Sequence, residues 1–153
     1  MEQSGPSQTD AVNRPWVEGL TIPQVLRCTV ERCGDADAVV FPRLGLRWSY
    51  RELAAQVDAA ARGLLALGIE PRDHVAVWAT NVPEWIVLQF ATARIGAVLV
   101  TINPAYRPFE LQYVLGQSDA VALFLVRHYK SSDYFAMLDE ICPELARSRP
   151  GRA

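Results

Sequence analysis

The stretch Asn81–Pro104, NVPEWIVLQFATARIGAVLVTINP, decides the fold because it joins an apolar helix to an apolar strand through one glycine. Asn81 is predicted to cap the helix, with Pro83 in its first turn. Gly96 is predicted to end the helix in the left-handed conformation. The apolar residues of the helix cover more than one face, and the run 97–102 is too short for a helix. We therefore expect a helix covered on most sides and a central strand buried on both faces of a parallel sheet.

Predicted strands and helices alternate on both sides of this stretch. Hydrophobic spacing predicts strands over residues 38–41, 46–49, 74–80 and 120–126, and helices over residues 21–34, 49–68, 107–116 and 131–143. The helix boundaries rest on cap, glycine and proline signals at Thr21, Ser49, Ser131 or Ser132, Gly34, Gly68, Gly116 and Pro143. This alternation is typical of right-handed βαβ units, so we predict an α/β fold with a mostly parallel sheet covered on both faces.

The domain organisation follows from where the periodic pattern begins and ends. Residues 1–15 are rich in Gln, Ser, Pro and Asp without periodicity, which predicts a disordered tail. Residues 16–143 hold all the predicted elements and form one domain, and residues 144–153 are polar and basic, which indicates a tail or linker. Half of the 153 residues are apolar and 21% are charged, a composition typical of a soluble globular domain.

Composition weighs against several classes of protein. A net charge of −2, with the arginines scattered singly, argues against a nucleic-acid partner. No apolar run approaches the roughly 20 residues of a membrane span, and the N-terminus lacks the basic start and apolar core of a signal peptide. We therefore expect a cytoplasmic protein without a transmembrane segment.

The residue patterns predict neither a metal centre nor a catalytic residue. Cys28, Cys33 and Cys142 form no CxxC pair, and His74 and His128 stand alone. The sequence contains no GxxxxGKS or GxxxxGKT, no GxGxxG, no GxSxG and no HExxH. Residue patterns alone thus predict an α/β domain without a recognisable active site.

Four segments of the sequence carry a family resemblance: Trp48–Leu53 (WSYREL), Asn81–Trp85 (NVPEW), Arg94–Val98 (RIGAV) and Asn103–Leu111 (NPAYRPFEL). Together, and in this order, they resemble the N-terminal part of the AMP-forming acyl-CoA synthetases, within the adenylate-forming superfamily. The combination is most similar to the fatty-acid branch. The resemblance implies that residues 16–143 are a partial AMP-binding domain, the N-terminal subdomain of the adenylate-forming fold.

The resemblance implies a two-step reaction with a fatty acid, ATP and coenzyme A as substrates and Mg²⁺ as cofactor. A carboxylate attacks the α-phosphate of ATP, and the thiol of coenzyme A then displaces AMP from the acyl-adenylate. In the family, the phosphate loop and the catalytic lysine lie after the region represented here, and Lys130, the only lysine, does not match that lysine. We therefore expect no catalytic residue, and no cofactor bound by this chain alone.

Five residues are candidates for binding. The resemblance implies basic residues near the phosphates of coenzyme A, and Arg127 and Lys130 follow a predicted strand at its carboxyl end, where open α/β sheets bind ligands. Asn103 and Tyr106 follow the preceding strand and are candidates for the same coenzyme A site, while Trp85 is a candidate for the acyl pocket. The alternatives stay open: solvated surface charges, a turn-forming Asn-Pro pair and a core aromatic.

Three hypotheses for function are compatible with the sequence. The first is a truncated fragment of a fatty-acid–CoA ligase that is inactive alone. The second is a stand-alone interaction module or pseudo-enzyme that pairs with another chain; its exposed apolar sheet face would also favour self-association. The third is an unrelated Rossmann-like nucleotide binder, which the missing glycine fingerprint disfavours.

Overall fold

A computed structural model describes residues 17–147, so the predicted tail over residues 1–15 and most of the predicted polar tail lie outside the described residues. The helices are α1 (Ile22–Cys33), α2 (Tyr50–Ala66), α3 (Pro83–Ile95), α4 (Pro108–Ser118) and α5 (Tyr134–Ile141). The strands are β1 (Asp37–Phe41), β2 (Leu46–Ser49), β3 (His74–Trp78), β4 (Val98–Thr101), β5 (Ala120–Leu125), β6 (His128–Tyr129) and β7 (Ser132–Asp133). Two 3₁₀ helices span Pro42–Leu44 and Pro143–Arg147.

The main sheet is parallel and has the strand order β4-β3-β5. The prediction of a parallel sheet is thus confirmed, but the prediction that the strand over residues 97–102 is central is wrong. β3 is the middle strand, and its residues 75–78 are at most 3% exposed, whereas Val98 of β4 is 44% exposed. Both strands are short and apolar, and a continuous apolar run does not reveal whether a strand pairs on one side or on two.

Helices cover both faces of this sheet, as predicted. Successive residues of a strand point to opposite faces, so Val75 and Val77 of β3 pack in a cluster with α2 and α3. Ala76 and Trp78 point the other way and pack with Leu111 of α4 and with residues of α5. The carboxyl ends of β3, β4 and β5 lie at the same edge of the sheet because the strands are parallel, and this edge carries the candidate binding residues.

A third cluster joins the N-terminal elements to the helical layer. β1 and β2 form the predicted antiparallel hairpin, and Val39 of β1 packs with Leu26 of α1 and with Leu53 and Val57 of α2. The predicted helix starts at Thr21 and Ser49 are confirmed, since each side chain accepts a hydrogen bond from the backbone amide three residues later. The caps fix where α1 and α2 begin.

Several predicted helix ends are wrong. Val82 rather than Asn81 occupies the N-cap of α3, without a side-chain cap bond, although Pro83 and Gly96 lie as predicted. α4 continues past Gly116 to Ser118, because Asp119 rather than Gly116 takes the left-handed conformation that ends the helix. Asp133 caps α5 in place of the predicted Ser131 or Ser132, because Ser132 pairs within the β6–β7 hairpin. The β6–β7 hairpin was not predicted, because strands of two residues each are too short to show a period.

Candidate functional site

Four of the predicted binding residues lie beyond the carboxyl ends of β4 and β5. Asn103 and Tyr106 belong to the turn that joins β4 to α4, and Arg127 and Lys130 belong to the segment that follows β5 and enters the β6–β7 hairpin. These four residues are called the carboxyl-edge site below. In parallel α/β sheets, this edge is where ligands bind.

Hydrogen bonds within the chain hold the Asn103–Tyr106 turn in shape. The side-chain Oδ1 of Asn103 accepts the amide of Ala105 at 2.9 Å, and the carbonyl of Asn103 accepts the amide of Tyr106 at 3.1 Å. This is the local bonding by which asparagine favours turns. Asn103 therefore acts as a turn former. The side chain of Tyr106 is half-buried against the cluster around Trp78.

Two buried aromatic residues that the sequence analysis did not select lie under this turn. Trp78 and Tyr134 are both 0% exposed, and their rings stack with centroids 3.5 Å apart and 4° between the planes. The Trp78 Nε1–H donates to the carbonyl of Asn103 at 3.1 Å, and the Tyr134 hydroxyl donates to the carbonyl of Pro104 at 2.6 Å. Burial raises the pKa of Tyr134, and nearby Tyr129 adds to the increase, so the phenol is a neutral donor at pH 7.

Arg127 lies at the surface beside an acidic residue and an aromatic ring. One of its Nη atoms is 3.5 Å from the carboxylate of Asp133, and its guanidinium lies 5.3 Å from the ring centroid of Phe135. The amide of Ala136 donates to Asp133 and is the main cause of its lowered pKa, to which Arg127 and His128 also contribute. The 65% exposure of the Arg127 side chain leaves guanidinium donors open to solvent.

Lys130 lies at the tip of the same hairpin. Its backbone has a positive φ of 52°, and its Nζ lies 5.2 Å from the ring centroid of Tyr129. Like Arg127, it is an exposed cation at the carboxyl edge. A guanidinium and an ammonium on one hairpin can each donate to phosphate oxygens, so the donor chemistry fits an anionic ligand such as coenzyme A.

A smaller depression lies next to the hairpin and involves Arg107, which the sequence places in the Asn103–Leu111 motif and at a predicted helix start but not among the candidate binding residues. Arg107 Nη1 donates to the hydroxyl of Ser132 at 3.0 Å, which bridges the loop before α4 and the hairpin. The depression has a volume of about 350 Å³ and also contacts α5 through Met137 and Glu140. Its walls come from two segments of the chain, residues 107–108 and residues 131–140, so no local pattern could have indicated it.

Trp85, the predicted acyl-pocket residue, lies on the opposite face of the sheet from Trp78. It is half-buried at the start of α3 and borders an open cleft of about 590 Å³. The cleft is also lined by residues of β2, α2, α3 and the carboxyl ends of β3 and β5. Its apolar lining includes Trp48, Ala60, Val77, Ala79, Val82, Val87, Leu88, Phe124, Leu125 and Val126. The cleft is therefore largely apolar, with Gln56 and Glu84 as its polar lining. The cleft reaches Leu125 and Val126 at the carboxyl end of β5, but none of the four carboxyl-edge residues lines it.

The histidines and cysteines have no shared site within residues 17–147. His74 bonds through Nδ1 to the carbonyl of Ser118 at the end of α4, while His128 lies exposed on β6. The cysteines are not joined by disulfides, and no group of three or more His, Cys, Asp or Glu side chains in this part of the chain could hold a metal ion. None of the helices described is both long enough and apolar enough to cross a bilayer.

Comparisons with known proteins identify what the chain resembles. A family model described as AMP-binding enzyme matches residues 26–151. The chain is 43% identical over 132 residues to the Bacillus subtilis protein YngI, named as a candidate acyl-CoA synthetase, and the match covers 86% of this chain and 24% of that protein. It is 38% identical over 135 residues to the mitochondrial medium-chain acyl-CoA ligase ACSF2 of Danio rerio, covering 88% and 22% of the two chains.

A solved structure shows the same fold. The inhibitor-bound N-terminal domain of FACL13 from Mycobacterium tuberculosis superposes with a TM-score of 0.69 at 25% identity, covering 85% of this chain and 30% of that one. This agreement confirms the predicted α/β fold and the predicted resemblance to the N-terminal part of such enzymes. The chain spans about a quarter of the length of the curated relatives it matches.

Proposed function

The chain belongs to the AMP-binding enzyme family, and from that premise we propose that it supplies part of an ATP-dependent fatty-acid–CoA ligase. In the proposed reaction, a carboxylate oxygen attacks the α-phosphorus of ATP, which forms an acyl-adenylate and releases pyrophosphate. The sulfur of coenzyme A then attacks the acyl carbon, which forms a thioester and releases AMP. The names of the relatives, a candidate acyl-CoA synthetase and a medium-chain acyl-CoA ligase, support this proposal.

Within that reaction, we assign the carboxyl-edge site to the phosphates of coenzyme A. The observation that supports this assignment is that two segments, after β4 and after β5, place Asn103, Tyr106, Arg127 and Lys130 beyond the same edge of the sheet. Arg127 and Lys130 are exposed donors with positive charge, Asn103 is an exposed polar residue, and Tyr106 is a half-buried one. Asp133 offsets part of the charge of Arg127.

We assign the cleft beside Trp85 to the acyl chain. Its volume of about 590 Å³ lies within the range of about 300 to 1,000 Å³ that is typical of small-molecule sites. The apolar lining suits a hydrocarbon chain, and Glu84 would repel a fatty-acid carboxylate at that wall. The carboxylate is therefore expected to stay outside the cleft, with the tail inserted.

We expect the 153-residue chain to be inactive as a ligase by itself. The family's phosphate loop and catalytic lysine have no counterpart in this sequence, so nothing here is assigned to ATP or Mg²⁺. Without these donors, the charge that develops on the α-phosphate during attack is not stabilised.

A cytoplasmic location of the protein also stays a prediction.

A second candidate function is an interaction module that pairs with another chain. The observation that favours it is the apolar surface left open within the described residues, which includes the cleft and the sheet edges at Val98 and Val121, 44% and 59% exposed. Such surface favours association with a partner or with a second copy. Sequencing the gene past the Ala153 codon distinguishes the two functions, because an in-frame Ser/Thr/Gly-rich loop ending in Pro-Lys-Gly supports the ligase.

Titration with coenzyme A tests the assigned function of the carboxyl-edge site. We expect the chain to bind coenzyme A at low ionic strength, and we expect Arg127→Ala and Lys130→Ala each to raise the Kd by about threefold to tenfold because a charged hydrogen bond is lost. Arg43→Ala is the matched control, since Arg43 is an exposed arginine in the 3₁₀ turn between β1 and β2. Equal effects of all three substitutions, or no binding by the unaltered chain, would overturn the assignment.

A further inference from the structure

We infer that Tyr134 is a positioning residue that ties together the two halves of the carboxyl-edge site, with Trp78 as its partner. The relevance of this role to coenzyme A rests on the proposed function, but the positioning itself is a property of the free chain. Neither residue is among the predicted site residues, and neither side chain is exposed to a ligand.

Tyr134 bonds to both halves of the site through different atoms. Its backbone N–H donates to the carbonyl of Arg127 at 2.9 Å, which fixes the start of the hairpin segment. Its hydroxyl donates to the carbonyl of Pro104 at 2.6 Å, which fixes the turn after β4. One residue at the start of α5 therefore sets the spacing between the segment that carries Arg127 and the turn that carries Asn103 and Tyr106.

Trp78 completes the support of the turn. Its ring stacks on Tyr134, and its Nε1–H donates to the carbonyl of Asn103, so two consecutive carbonyls are held by two stacked aromatic donors. Pro104 has no N–H, and its carbonyl is the only backbone polar group through which the core can hold it. Both rings are 0% exposed. Loss of the Tyr134 hydroxyl would leave the carbonyl of the half-buried Pro104 without this donor, whereas the carbonyl of Asn103 would keep the bond from the amide of Tyr106 if Trp78 were lost.

The consequence is a binding surface that is formed before a ligand arrives. A turn and a hairpin that are fixed relative to each other lose little conformational freedom on binding, which lowers the cost of association. A loosened turn would have to be ordered again for each ligand molecule, so the affinity would fall although no contacting side chain had changed.

The test is hydrogen exchange on the free chain with the substitution Tyr134→Phe, which removes the hydroxyl but keeps the ring and the backbone N–H. We expect exchange at the amides of Ala105 and Tyr106 to rise by about threefold to tenfold, while exchange at Val77 of β3 stays within the error of the wild type. Tyr113→Phe is the matched control, because Tyr113 is a 63% exposed tyrosine on α4. Tyr113→Phe should change the exchange rate neither at Ala105 and Tyr106 nor at Val77.

Equal acceleration of exchange at Val77 and at the turn would mean that Tyr134 only stabilises the whole domain. No acceleration at the amides of the turn would mean that the Tyr134 hydroxyl does not hold the turn. Either result overturns the inference. If Tyr134→Phe does not fold, the unaltered chain provides the test. The indole N–H of Trp78 must then exchange more slowly than those of Trp48 and Trp85, and equal rates contradict the inference.

A coenzyme A titration connects positioning to binding. Tyr134→Phe should raise the Kd by about threefold to tenfold without changing its dependence on salt, because no charged contact is removed. A changed salt dependence would contradict a positioning role. Absence of binding by the wild-type chain would refute the proposed function alone, and the exchange experiment would still decide whether Tyr134 positions the turn.

Discussion

The backbone amide of Arg51 donates to the carbonyl of Gly34 at 2.9 Å and thereby joins the start of α2 to the end of α1. The approach is close enough that a Cβ on Gly34 would lie 2.6 Å from the carbonyl oxygen of Val30 and 2.9 Å from Nη2 of Arg51. Gly34 has an ordinary helical φ of −56°. Space, rather than backbone conformation, therefore requires glycine here.

Replacing this glycine by alanine should destabilise the domain. Because the nearer atom belongs to the backbone, Gly34→Ala forces the end of α1 to shift, which costs about 1 to 3 kcal/mol of unfolding free energy by analogy with overpacked cores. Urea denaturation followed by circular dichroism measures this change.

Gly63→Ala is the matched control, since Gly63 lies within α2 and a Cβ there meets no atom within 4 Å. It should instead stabilise the domain by about 0.5 to 1 kcal/mol because alanine loses less backbone entropy in a helix. Destabilisation of the same size by both substitutions would show that close approach at Gly34 is not the cause.

The cap of α2 predicts a dependence of stability on pH. The backbone amide and the hydroxyl of Ser49 both donate to the carboxylate of Glu52. These bonds lower the pKa of Glu52 below its ordinary value of 4.5, and the bond from the amide has the larger effect. A carboxyl group with a lowered pKa in the folded state stabilises it above about pH 4.5, and this contribution is lost as the pH falls through the lowered value. Glu52→Gln should therefore flatten the pH dependence of unfolding between pH 5 and pH 3. An unchanged slope would exclude this role.

Removing the capping hydroxyl should weaken α2 at neutral pH. Ser49→Ala leaves the amide of Glu52 without its side-chain acceptor and costs about 1 kcal/mol of unfolding free energy. Ser131→Ala, at an exposed residue of the β6–β7 hairpin, is the control and should have little effect. Denaturant titration of the two variants makes the comparison, and similar stabilities would argue against the cap.

The buried phenol of Tyr134 predicts an alkaline transition. Its pKa is raised from 10.0, so the folded state keeps this proton at a pH where the unfolded chain loses it. The stability that depends on the neutral phenol is present below about pH 10 and is lost as the pH rises through the raised pKa. Absorbance at an ultraviolet wavelength specific to tyrosinate should show one phenol ionising after the rest. The late step should be missing in Tyr134→Phe.

The assigned acyl cleft predicts binding of a fatty acid to the chain itself. Decanoate should bind, and Trp85→Leu should weaken it by about fivefold because apolar contact area is lost. Phe109→Leu is the control, since Phe109 is an 81% exposed aromatic residue on α4 and does not line the cleft. Calorimetric titration measures both, and equal affinities of the two variants would refute the assignment of Trp85.

The expected inactivity of the chain has a direct measurement. Purified 153-residue protein supplied with ATP, Mg²⁺ and a medium-chain fatty acid should give no acid-dependent exchange of pyrophosphate into ATP, since the sequence offers no phosphate loop. A full-length acyl-CoA ligase is the positive control. Acid-dependent exchange by the purified chain would show that adenylation needs less of the family's machinery than we propose.

The sequence by itself determined the elements whose signals are local. Caps at Thr21 and Ser49, the left-handed Gly96 and the apolar runs of β3 and β5 each depend on residues a few positions apart, so helix starts and strand positions followed from spacing. The family was also determined this way, because short motifs in a fixed order identify common ancestry. The prediction that Asn81 caps the helix was wrong, because an asparagine that is able to cap does not have to do so.

Only the tertiary structure decided which strand is central and what supports the carboxyl edge. β3 and β4 are equally apolar, and pairing on two sides rather than one depends on the crossovers of the whole chain. The contact of Tyr134 with Pro104 spans 30 residues and that of Trp78 with Asn103 spans 25. A tyrosine at the start of a helix and a tryptophan at the end of a strand look like ordinary core residues in the sequence. Their role arises only where folding brings their polar atoms to the carbonyls of one turn.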